Sequence, residues 1–195
     1  KIENNGCAKR RSAAYIGSLH DWQGIPDLLR AAKILKERNE SNIVIEVIGG
    51  GPLSSYVKSF IKEHTLEGYI KYHGEVKKED LPEIIRDINL LIIPRPSTVS
   101  TETIVPLKVF DYITYQRPIL MSDVGGLTEI LDPDCECMTY SAGDSEDLAT
   151  KLSLLIHDDH LMEKLQTSAL KKLKIYNNWQ VQASYYEEVI LSGIG

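Results

Sequence analysis

The run Ile43–Ile48, reading IVIEVI, constrains this chain most. Apolar β-branched residues fill every position but Glu46. A strand with one wet face would alternate, so this one is expected to be covered on both faces, as in a parallel sheet flanked by helices. Gly49-Gly50-Gly51-Pro52 closes the run, and an amphipathic pattern over 53–64 follows. Parallel neighbours cannot be joined by a tight hairpin, so the crossover has to be a helix.

The same grammar recurs. A small apolar strand over 13–16 ends at Gly17, and a loop leads to a helix from Ile25 with Pro26 in its first turn. Strands are expected over 70–73, 90–93, 119–121 and 137–140, and helices over 80–87, 145–156, 161–176 and 179–191. Residues 94–103, starting Pro94-Arg95-Pro96 and then rich in Ser and Thr, read as a long loop, and 1–11 as a linker or frayed terminus. Six strands alternating with helices imply a doubly wound, Rossmann-like α/β domain over 12–176, with right-handed crossovers and its ligand beyond the carboxyl ends of the strands.

A net charge of −6 and a pI near 5.4 argue against a nucleic-acid backbone or an anionic membrane as partner. Lys9, Arg10 and Arg11 form the one compact basic cluster and read as a solvated terminal segment. Cys7, Cys135 and Cys137 have no metal-like spacing, and no apolar run is long enough to span a bilayer, so a reducing cytoplasm is expected. The first residue is Lys, so a piece of a longer protein is expected. The histidines have no ligand spacing, and the tyrosines read as core and surface filler.

Residues 106–129 concentrate the chemistry. Pro106 suits a helix start, and the helix is expected to reach Tyr115 with Leu107, Phe110, Ile113 and Thr114 facing the sheet. Lys108 and Asp111 then share a stripe at the wall between core and solvent. After the strand come Ser122-Asp123 and Gly125-Gly126, a pair expected to turn sharply and approach a ligand ahead of a helix carrying Glu129.

This segment resembles the donor-site region of the retaining glycosyl transferase group 1 family, whose two-domain architecture is called GT-B. Pro106, Leu107, Lys108, Phe110, Asp111, Tyr112, Pro118, Ser122, Asp123, Gly125, Gly126 and Glu129 fall on its motif. Tyr15 to Leu19, Gln23-Gly24, Val47 to Leu53 and His73 to Val76 resemble its other segments, and Trp179 and Tyr186 its closing helix over 177–195. The resemblance implies the C-terminal half of a GT-B glycosyltransferase. This half would bind a nucleotide diphosphate-sugar, and a missing N-terminal half would bind the acceptor and make any membrane contact. Neither metal nor cofactor is implied, and the piece by itself is not expected to turn over.

By the same resemblance Asp111 would accept hydrogen bonds from the ribose hydroxyls. Backbone N–H groups of Thr103, Ile104 and Val105 would face the diphosphate or sugar, Gly17, Ser18, Gln23 and Gly50 would line the site, and Glu75 and Val76 would contact the base. The family's first carboxylate falls on Thr103, with Glu102 one place off as a catalytic candidate. Its diphosphate clamp falls on Ser18 and Gln23, which carry no charge. Lys108, Arg95 or the other half would have to supply it. Gln116 stands where the family ends this helix with Gly. A non-catalytic nucleotide-sugar or partner-binding domain and a nucleotide-sugar epimerase stay open beside the transferase.

Overall fold

The computed structural model describes residues 10–176, so the helix expected over 179–191 and the first nine residues lie outside it. The strands are β1 (Arg11–Ile16), β2 (Ile43–Ile48), β3 (Ile70–Gly74), β4 (Leu90–Ile93), β5 (Ile119–Ser122) and β6 (Met138–Tyr140). They form one parallel sheet in the order β3-β2-β1-β4-β5-β6. The order reverses between β1 and β4, and there the connections leave in opposite directions and open a crevice at the carboxyl edge.

Among the described residues eight α-helices and a 3-10 turn (Asp21–Gln23) connect and cover the sheet: α1 (Ile25–Glu37), α2 (Ser54–Glu63), α3 (Leu81–Arg86), α4 (Val99–Thr103), α5 (Lys108–Thr114), α6 (Gly125–Thr128), α7 (Ser145–His157) and α8 (Asp159–Tyr176). Strand alternation sends Ala13, Tyr15, Ile45, Val47, Leu90, Ile92 and Leu120 to one core, under α1 and α7. Ala14, Ile48, Leu91, Ile93, Ile119 and Met121 go to a second core with Val109, Tyr112 and Ile113 of α5. Burial on both faces explains the unbroken apolar strands.

Several boundaries differ from expectation. β1 begins at Arg11, in register with Ile43. Arg11 is neither frayed nor freely solvated: it donates to the Ile156 carbonyl at 2.9 Å and is ion-paired with Asp159. Arg10 likewise donates to the Ser41 carbonyl at 3.2 Å and to that of Gly68. Within the expected loop lies α4, nucleated by Thr98, which accepts from Thr101 N while Thr101 Oγ1 accepts from Thr98 N. α5 starts at Lys108, not Pro106, and buries Val109, Tyr112 and Ile113. That stripe is rotated from the expected one, leaving Leu107 80% exposed. At its end Gln116 adopts φ 54°, the left-handed cap for which the family motif keeps Gly.

Candidate functional site

At the carboxyl edge the β1, β2 and β3 ends are joined by main-chain bonds: Gly17 N to Ile48 O at 2.9 Å, Leu19 N to Gly50 O at 2.9 Å, and Gly49 N to Gly74 O at 2.7 Å. Gly49 has φ 138°, and a Cβ there would lie 1.9 Å from Gly17 O. No residue with a side chain fits between these strand ends. They line a cavity of about 450 Å³ with Ile16, Gly17, Ser18, Ile48, Gly50, Glu75 and Val76. Of the residues singled out in the sequence, Gly17, Ser18, Gly50, Glu75 and Val76 therefore meet at one opening.

Lys108 approaches Gly17, at the edge of this opening, from α5, although neither it nor Gln23 is among the residues that line the cavity. Its Nζ donates to Tyr15 Oη at 2.9 Å and to Gln23 Oε1 at 3.3 Å, and a Cβ on Gly17 would meet it at 2.3 Å. The position where the family carries a loop lysine thus holds Gln23 accepting from a helix lysine. Burial first, and then the nearby Arg95 charge, lower the Lys108 pKa to about 7, with Asp111 acting in the opposite direction.

Arg95 is buried, at 7% exposure, rather than displayed between its prolines. The loop after β4 folds under α4, and Arg95 Nη1 donates to the Ile104 carbonyl at 3.0 Å while its buried Nε has no partner. Among the described residues no carboxylate lies within ion-pair distance of Lys108 or Arg95.

Asp111 is exposed, one turn beyond Lys108, because Val109, Tyr112 and Ile113 take the buried stripe. It is not among the residues lining the glycine opening. The N–H groups expected to be free ahead of α5 are partly spent: Ile104 N donates to Ser100 O at 2.9 Å and closes α4. Thr103 sits in α4 with its hydroxyl on Val99 O at 2.8 Å, and Val105 packs against the second core.

Glu102 is also committed. Its Oε1 accepts from Ser97 Oγ at 2.6 Å and its Oε2 from Gly125 N at 2.7 Å, and both bonds hold its pKa below the usual value. Gly125 and Gly126 meet protein, not open space. A Cβ on Gly125 would lie 2.5 Å from Glu102 O, and one on Gly126 would lie 2.4 Å from Ile104 O. Their smallness lets α6 seat against α4, and the helical Gly125–Thr128 makes no sharp turn.

Sequence reasoning missed two tyrosines. Tyr15 is fully buried on β1, with its hydroxyl donating to Ser18 O at 2.7 Å and facing Lys108. Tyr112 Oη accepts from Ile16 N at 2.7 Å and donates to Ile16 O at 3.1 Å, fastening α5 to the end of β1. The available signal was a hydroxyl in an otherwise aliphatic run, Ala13 to Ile16, since a buried Tyr needs a polar partner near the strand's end.

The fold and site define a doubly wound α/β domain with a glycine-lined mouth and two cations at its switch point. The chain belongs to the family described as Glycosyl transferases group 1, whose profile matches residues 3–172. It is 19% identical over 176 residues to the Amylovoran biosynthesis glycosyltransferase AmsK of Erwinia amylovora, covering 90% of this chain and 43% of that protein. Thus the chain spans less than half the length of that curated relative.

Among solved structures it resembles the C-terminal domain of the glycosyl transferase group 1 family protein LpcC of Francisella tularensis, with a TM-score of 0.72, 17% identity and 88% of both chains covered. It also resembles Anabaena HepE in complex with UDP, with a TM-score of 0.74, 17% identity, and 96% of this chain and 50% of that one covered. These likenesses place the sheet among GT-B C-terminal domains.

Proposed function

We propose that this chain is the donor-binding half of a GT-B glycosyltransferase. It takes up a nucleotide diphosphate-sugar, and the sugar passes, with retention, to an acceptor held by the other half of the protein. The observation that carries this reading is the pair Lys108 and Arg95, two cations drawn out of bulk water beside the glycine opening with no carboxylate of the described residues in ion-pair range. Such charges are costly unless an anion joins them, and a diphosphate answers both. The clamp absent at Ser18 and Gln23 is then supplied from α5 and from the loop after β4.

Asp111, exposed one turn further along α5, would take the ribose hydroxyls, and Glu75 and Val76 the base. Glu102, engaged by Ser97 and Gly125, supports α6 more readily than it meets a sugar. We infer a polysaccharide or glycoconjugate product; the Erwinia relative is likewise named as a biosynthetic glycosyltransferase. We place the activity in the cytoplasm, with membrane contact only through the other half; no described helix is long and apolar enough to cross a membrane.

Calorimetric titration of the protein with UDP, GDP and ADP tests this. Binding of at least one is expected, and Asp111→Ala should weaken it about tenfold, the loss of one charge-assisted hydrogen bond. A folded protein that binds none of them would overturn the donor reading and leave a partner-binding domain.

A further inference from the structure

An ammonium has three N–H donors and no acceptor, whereas a phenol has one donor and two lone pairs. Tyr15 spends its single proton on Ser18 O, 2.7 Å away. Toward Lys108 the hydroxyl can then only accept, and Nζ sits 2.9 Å from that oxygen and 4.2 Å from the ring centroid. Gln23 Oε1 takes a second donor at 3.3 Å, which leaves the third N–H unassigned beside Gly17.

We propose that Tyr15 is a positioning residue of the donor site, whose hydroxyl, oriented by Ser18, favours the charged form of Lys108 and seats it against Gly17 for the diphosphate. This rests on the donor reading above. The geometry distinguishes it from ordinary core filling: Tyr15 is fully buried, yet its one polar atom touches the loop that lines the opening and the cation on α5. Its bond to Lys108 spans a sequence separation of 93 residues.

The groups facing Lys108 are Tyr15 from β1, Gln23 from the loop ahead of α1, Arg95 from the loop after β4 and Asp111 from α5 itself. Burial and Arg95 oppose the ammonium, while the Tyr15 oxygen, Gln23 Oε1 and Asp111 favour it. With its pKa lowered to about 7, Lys108 is half charged near neutrality. A bound anion favours the charged form, so donor binding should take up a proton and weaken as the pH rises above 7. Removing the Tyr15 oxygen withdraws one supporting contact and should move that decline to lower pH.

The test is calorimetric titration of the whole protein with the nucleoside diphosphate it binds best, from pH 6 to pH 9, for wild type, Tyr15→Phe, Lys108→Arg and the double variant. Tyr15→Phe should weaken binding about tenfold near pH 7 and shift the pH profile downward. Lys108→Arg, charged throughout, should flatten the profile. On that background Tyr15→Phe should have little further effect.

An even loss of affinity across pH, with the profile unmoved, would make Tyr15 mere loop support and overturn the proposal while sparing the donor reading. A folded wild-type protein that binds no nucleoside diphosphate would overturn both.

Discussion

At the β1 corner of the sheet, Lys108 and Arg95 bring cations together without a carboxylate of the described residues in ion-pair range. At the β5 corner, by contrast, the first N–H of α6 is taken by Glu102, and Gly126 lies under the carbonyls of Thr101 and Ile104. Both are strand-to-helix corners rich in glycine, and from sequence both looked like places for a ligand. One is left electrically open and the other is closed by the protein itself. A glycine turn thus marks close approach, and only the polar inventory around it shows whether a ligand or a neighbouring helix approaches.

The largest effect is expected from breaking the open corner. Lys108→Met should lower nucleoside diphosphate affinity by about 100-fold, roughly 3 kcal/mol for a charge-assisted contact. The same change should stabilise the free protein. Lys108 has a folded pKa near 7, below its ordinary 10.5. The unfolded chain therefore binds the extra proton between those values, and stability rises with pH across that window. Below pH 7 the cost of charging Lys108 is fully present. Thermal unfolding should therefore show a higher midpoint for Lys108→Met at pH 6 and little difference near pH 10.

Next, Gly126→Ala attacks the closed corner. Its methyl would lie 2.4 Å from Ile104 O and 2.7 Å from Thr101 O, and helix backbone cannot yield cheaply. A loss of about 1–3 kcal/mol by denaturant titration is expected, through separation of α4 from α6. The smallest effect belongs to Glu102→Gln. An amide can still accept from Gly125 N, so donor binding should stay near wild type while hydrogen exchange quickens at the start of α6. A large loss of affinity there would mean that Glu102 serves the ligand, and the contrast between the corners would fail.

The fold was readable because the strands are short apolar runs that few other structures could absorb, as in Ile43–Ile48 and Leu90–Ile93. Boundaries set by tertiary contacts were not. Arg11 looks like linker, yet it pairs in β1 because Asp159 receives it. α4 has no apolar period, only a threonine cap. At the candidate site, the gathering of Ser18, Glu75 and Val76 at one opening, with Lys108 and Gln23 beside it, was legible through motif position. The burial of Arg95 was hidden because nothing local says that α4 folds over it, and the roles of Tyr15 and Tyr112 because each does its packing with the ring and its polar work with a single oxygen.

Tyr112 has one more consequence. By gripping both main-chain groups of Ile16, it makes α5 a lever hinged on the first strand, with Lys108 and Asp111 as two teeth one turn apart. Any twist of that short rod would turn both teeth at once, so the phosphate and pentose contacts that the donor reading assigns to them would tighten or slacken in step.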